Sequence, residues 1–98
     1  MRLVAIFKDA TGAEWIRERH SDEHLAFLET NKDKIAIGGS LRQYPGATPY
    51  GGLWVFNVSA KEEAVALIEA DPYYRLGLRA GYELLLWGKP EFFGVVEL

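Results

Sequence analysis

Apolar positions along this chain come in short dense runs separated by polar punctuation, and the period of the runs changes from one to the next. Residues 3–7 form a compact apolar run rich in strand formers, which predicts a first strand. Thr11-Gly12 can then open a helical piece that holds Trp15 and Ile16. Ser21 reads as an N-cap, with Asp22 and Glu23 suited to the positive end of the helix that follows. Leu25, Phe27 and Leu28 give that helix an apolar stripe, which fades around Asn31 to Asp33. Residues 35–41 predict a second strand, and its Gly38-Gly39 pair signals a bulge or a close backbone approach. Pro45-Gly46 and Pro49-Tyr50-Gly51-Gly52 punctuate a surface loop before a third strand over residues 53–58. Ser59 and Glu62 have capping-box spacing ahead of a helix whose buried side is Ala64, Val65, Leu67 and Ile68. That helix ends at Asp71-Pro72, because a residue before proline is pushed out of helical geometry. A short helical turn through Tyr73-Tyr74-Arg75 leads to a fourth strand over residues 82–87, closed by Lys89-Pro90. The tail, with Phe92, Phe93, Val95 and Val96, is apolar enough to pack against something.

The order βαββαβ predicts an α+β domain: a ferredoxin-like antiparallel sheet with two helices on one face. The strands add a second expectation. Leu3, Ala5 and Phe7 face opposite to Val4 and Ile6, and both sets are apolar; residues 53–56 and 84–87 repeat the pattern. A sheet with one wet face would alternate apolar with polar, so both faces need cover. Two helices cover one, and the other is expected to pack on an identical sheet in a symmetric homodimer.

Bulk properties narrow the classes of function. At 98 residues the chain is expected to be one domain over residues 1–98. It is 49% hydrophobic and 26% charged, with a net charge of −3, an ordinary globular profile without the dense positive footprint that nucleic acid requires. The absence of cysteine excludes disulfides, thiolate catalysis and cysteine-based metal sites. The opening apolar run is too short for a signal-peptide core or a membrane span, so a cytoplasmic protein with no membrane partner is expected. No phosphate-binding glycine loop or nucleophile elbow is present.

Only two histidines are available for chemistry, His20 and His24. At i, i+4 they could share a helix face and hold a metal, but a cap at Ser21 takes His20 out of the regular helix and no third ligand is supplied nearby. No metal and no cofactor are therefore expected. His24 lies in the first turn, where the positive helix end disfavours imidazolium and leaves a ring able to act as a base. A purely structural reading, a half-buried histidine bonded to a neighbour, competes with this. Asp71 divides in the same way, between capping the turn that starts at Pro72 and orienting His24. Arg42, Ser40 and Tyr73 are candidates to hold a small-molecule substrate, against the ordinary alternatives of solvation and core packing.

Three segments taken in order resemble the YciI-like (YCII-related) family. They are His24-Leu25-Ala26-Phe27-Leu28, which fits its H-L-x-x-L signature, the small-residue strand 35–41, and Ala70-Asp71-Pro72-Tyr73, which fits A-D-P-[YF]. The likeness runs from Leu3 to about Pro90. It implies a dimeric α+β barrel and an active-site pair falling on His24 and Asp71. It also implies cofactor-free proton transfer, isomerisation or elimination on a small cyclic or aromatic metabolite, with dehydrochlorination of hydroxyquinone-type rings as the best lead. The related barrels bring muconolactone-isomerase-like or cofactor-free monooxygenase chemistry into view, and a non-enzymatic dimeric module binding a ligand or protein is the competing class.

Overall fold

In a computed structural model that describes all 98 residues, the chain runs β1 (Arg2–Asp9), α1 (Glu14–Thr30), β2 (Ile35–Leu41), β3 (Gly51–Asn57), α2 (Lys61–Ala70), α3 (Pro72–Leu76) and β4 (Arg79–Leu86). A 3₁₀ turn, Glu91–Phe93, follows. The four strands form one antiparallel sheet in the order β2-β3-β1-β4, the ferredoxin-like arrangement. β1 is central because it is apolar on both sides. Leu3, Ala5 and Phe7 are buried, opposite Phe56, Trp54 and Gly52 on one flank and Leu86, Leu84 and Tyr82 on the other. With Ile35, Ala64 and Ile68 they make the main core, against which Phe27 and Leu28 of α1 and Leu67 of α2 pack. A smaller cluster of Ala13, Ile16, Tyr73 and Leu78 closes one end of the domain, where the start of α1 meets α3.

Local details depart from the sequence expectations in instructive ways. α1 is one long element from Glu14 instead of a short piece and a capped helix; it breaks at His20 (φ −124°, ψ 15°), and Ser21 starts the second segment instead of capping it. His20 is outside regular helix, as expected, but it is itself the break between two helical segments and not the residue before a Ser21 cap. The Ser59–Glu62 capping box does not form, because Ala60, extended at φ −146° and ψ 151°, takes the N-cap position and moves Ser59 one residue too far back. β4 begins at Arg79, three residues before the apolar run, held by pairing with Asp9 in place of hydrophobic burial. The Gly38 expectation has a direct physical basis: a Cβ there would sit 3.0 Å from Trp54 Cδ1, so the indole lies against bare backbone. Gly51 is tighter still, since a Cβ would fall 1.8 Å from the Phe7 carbonyl oxygen. The register slips between Ile35 and Ile37, a bulge just before the glycines.

The second face of the sheet carries Val4, Ile6, Leu53, Ile37 and Leu85, with Trp87 just beyond β4. Within a single chain Ile37, Leu85 and Trp87 are exposed. The tail covers little of this surface. Arg2 donates to the Val96 carbonyl, and residues 96–98 with Val55, Asn57 and Trp87 line a cavity of about 610 Å³. Phe92, Phe93 and Val95 remain exposed, so the tail does not find within the chain the partner its composition suggested. No helix is long and apolar enough to cross a membrane.

Candidate functional site

His24 and Asp71, 47 positions apart, meet in the interior with Nδ1 and Oδ1 2.7 Å apart. His24 is 7% exposed and Asp71 1%, the two polar residues among the buried set. Local sequence delivers each of them. The break at His20 re-aims the rest of α1 so that His24 faces inward, its ring 6.2 Å from that of Trp54. Asp71 stands between α2 and α3 with extended φ/ψ (−63°, 131°) imposed by Pro72, and its backbone carbonyl accepts the Arg75 N–H as an N-cap would. Its side chain makes no capping bond, so the carboxylate is free for the imidazole. The two readings of Asp71 are therefore divided between its backbone and its side chain.

The carboxylate fixes the chemistry of the ring. With Nδ1 donating to the Asp71 carboxylate, which accepts only, the neutral form of the ring has Nε2 as its acceptor. Nε2 has no protein partner, and His24 lines a cavity of about 150 Å³ together with Arg17, Ser21, Gly39, Ser40, Tyr73 and Arg79. The Tyr73 ring lies parallel to the imidazole, 3.8 Å between centroids and 11° between planes, which fixes the ring plane from one side. Burial pushes the Tyr73 phenol above its usual range; the positive charges of Arg17 and Arg79 pull it down, while Asp71 and Asp9 push it further up.

A second polar group adjoins this pair, and the sequence reading had not found it. Asp9 accepts from Arg17 Nε at 2.7 Å and Nη2 at 3.2 Å, and from Arg79 Nη1 at 3.0 Å. Arg17 also donates to the Gly51 carbonyl at 3.1 Å. The Arg79 side chain is 2% exposed and lies over Phe7, 4.4 Å from guanidinium carbon to ring centroid. Burial weakens its hold on its proton, and the adjacent Asp9 restores part of that hold. The signal that could have revealed it is an arginine between Leu78 and Ala80, at the start of a strand, where an apolar residue would be ordinary.

Of the other candidates, Tyr73 and Ser40 reach the His24 cavity and Arg42 does not. Arg42 Nε donates to Ser40 Oγ at 3.2 Å, its guanidinium reaches the Ala47 carbonyl, and it lines a neighbouring polar cleft of about 330 Å³ shared with Asp9 and Arg17. His20 bonds Glu23 at 3.0 Å, away from His24, and no group of three His, Cys, Asp or Glu side chains is placed to hold a metal.

Sheet order and site together define a ferredoxin-like α+β domain with a buried His–Asp pair at a small cavity. The chain matches the YCII-related domain over residues 1–88 and belongs to that family. Among solved structures it is similar to 5-chloro-2-hydroxyhydroquinone dehydrochlorinase (TftG) from Burkholderia phenoliruptrix AC1100, in complex with 2,5-dihydroxybenzoquinone. That match has a TM-score of 0.83 and 26% identity, covering 94% of this chain and 98% of the other. The Arabidopsis thaliana protein At3g17210 shares the fold, with a TM-score of 0.50 and 11% identity over 99% of this chain and 98% of its own. No curated protein matches the chain.

Proposed function

We propose that this chain is a cofactor-free small-molecule enzyme that uses His24 as general base and acid and Asp71 as its orienting partner. The reaction is an elimination of the dehydrochlorination type on a hydroxylated ring. The observation that carries the reading is the 2.7 Å bond between Nδ1 and Asp71, which leaves Nε2 as an acceptor at the cavity. The similarity to a dehydrochlorinase acting on a chlorinated hydroxyhydroquinone supports the choice of reaction.

The steps balance without an oxidant. Nε2 takes a hydroxyl proton; the electron pair left on oxygen forms a carbonyl, and the displaced ring pair takes a proton at the chlorine-bearing carbon. The imidazolium supplies that proton, so His24 returns to its starting form. Loss of a second hydroxyl proton then forms the second carbonyl and expels chloride with the bonding pair. HCl leaves, and the ring becomes a hydroxyquinone. Asp71 stabilises the transient imidazolium, Ser40 and Tyr73 border the ring, and Arg42 meets substituents that extend into the neighbouring cleft.

Chloride release from 5-chloro-2-hydroxyhydroquinone tests this. The wild-type chain should release chloride in step with quinone formation, and His24→Gln should slow it by about 10²–10⁴-fold. A wild-type chain that leaves the compound intact, or a variant that matches it, overturns the reading.

The working unit is a cytosolic homodimer, joined through the second face of the sheet. The support is apolar surface left in water by one chain: Ile37 is 56% exposed, Leu85 48% and Trp87 47%.

A further inference from the structure

The second face of the sheet is raised at one end and sunken at the other. Where β1 begins, Arg2 donates to the Val96 carbonyl and keeps residues 96–98 beside Val55, Asn57 and Trp87. Where β1 finishes, Lys8 pairs with Gly81 and Ile6 with Glu83. These residues and Tyr50 line a hollow of about 380 Å³. Lys8 and Glu83 carry opposite charges, so the hollow as a whole is neutral and suits an apolar guest. Gly81 keeps it open. Its φ is not positive, and a Cβ there would meet nothing within 4 Å, so neither backbone conformation nor packing inside the chain calls for glycine. A glycine weakens a strand, and within one it often marks close approach by a ligand or by another stretch of backbone.

The tail carries what such a hollow lacks. It lies beyond residues 1–88, the stretch matched by the family. The Phe92 and Phe93 rings, 4.6 Å apart between centroids, form one apolar knob, 77% and 63% exposed. A cavity of about 150 Å³ takes one benzene-sized ring, so two rings need about 300 Å³, and the hollow holds both. The chain's own knob does not reach it. Val96 is held at Arg2, and the stretch from Phe93 to Val96 spans about 10 Å at most, whereas Arg2 and Lys8 are about 20 Å apart along β1. A second copy laid face to face and turned end for end brings its raised end over the hollow. Packed sheets lie about 10 Å apart, and the stretch from Gly88 to Phe93 reaches about 17 Å when extended. Two-fold symmetry repeats the contact, so one arrangement covers both tails and both hollows. We propose that Phe92 and Phe93 of each chain seat in the hollow around Gly81 of a second copy, an exchange of C-terminal tails across the dimer. The inference rests on the reading of the second face as the dimer face.

Sedimentation equilibrium on the full chain tests this in wild type, in Phe92→Ser with Phe93→Ser, and in Gly81→Leu, whose side chain fills the hollow. The expected result is a wild-type dimer whose dissociation constant rises about tenfold or more in each variant. The circular dichroism spectrum should not change, because all three positions are open to solvent within one chain. A dimer that either variant leaves as tight as wild type overturns the proposal. Should a variant fail to fold, the wild type decides, in dimers mixed from isotope-labelled and unlabelled chains. Nuclear Overhauser contacts should then join the Phe92 and Phe93 rings of one chain to the Ile6 methyls of the other. Contacts that are absent, or confined to one chain, overturn it. The two readings fail separately. A wild-type monomer removes the dimer and the exchange together, whereas a dimer indifferent to the variants removes the exchange alone and leaves the sheet-to-sheet contact standing.

Discussion

The two faces of the sheet are inverted with respect to each other. Under the helices, where packing alone would call for apolar side chains, the chain buries His24 and Asp71 and all but encloses Arg79 and its partner Asp9. On the other face, where a lone domain would present polar groups, it presents Ile37, Leu85 and Trp87. Each inversion costs free energy in an isolated chain, the first by desolvating charge and the second by wetting apolar surface. The contrast separates two kinds of surface: polar groups that are buried and bond one another on one face, and apolar groups exposed in register on the other.

Substitutions at matched places on the two faces sharpen this contrast. The largest effect is expected at Asp9, whose carboxylate holds two guanidiniums. Asp9→Ala leaves Arg79 charged and enclosed without its counter-ion, and urea unfolding should show a loss of about 3–5 kcal/mol. A loss below 1 kcal/mol would mean that water reaches Arg79 and that the group is not an interior one.

Asp71→Asn comes next. Asparagine nearly preserves shape, but its amide can donate to Nδ1 and so shift the ring hydrogen to Nε2, blocking the base. Chloride elimination should fall about 10²-fold or more, with stability changed by no more than about 1 kcal/mol. Unchanged turnover would return Asp71 to the role of a backbone cap.

On the open face, Ile37→Glu with Leu85→Glu should change the stability of a single chain little, within about 0.5 kcal/mol at each exposed position. The same pair should convert a particle of twice the chain mass into a monomer by light scattering. A wild-type monomer at low micromolar concentration would break the comparison outright, because the exposed apolar face would then have no partner.

The smallest effect concerns Tyr73. Burial is the largest influence on its phenol and raises its pKa, and Arg17 and Arg79 oppose the shift. Near-ultraviolet titration should show this tyrosine ionising above the ordinary tyrosine range. Arg17→Gln removes one opposing charge and should push Tyr73 higher still. The linkage sign follows: the folded state prefers the neutral phenol, so its contribution is intact below the unfolded value of about 10 and is lost as pH rises through the folded one. A Tyr73 that ionises in the ordinary tyrosine range would show that the cavity is wetter than its packing indicates.

Sequence alone determined the elements and their order, because hydrophobic periodicity and the Asp71-Pro72 stop are local properties that each segment carries itself. The His24 and Asp71 motifs were legible for the same reason, each being a short run of neighbouring residues. Helix starts were less so: Ser21 and Ser59 both have capping chemistry, yet a shift of one residue, set by where the chain must enter the packed layer, left neither as the N-cap. Only the tertiary structure decided that Arg17, Asp9 and Arg79 form one group, since Asp9 and Arg79 lie 70 positions apart and meet through the β1–β4 pairing. It also decided that Arg42 turns to its own loop and away from His24. A charged side chain carries no periodic signature of its own; whether it is solvated or paired depends on which strands pair and how they are registered, and that is a property of the whole sheet.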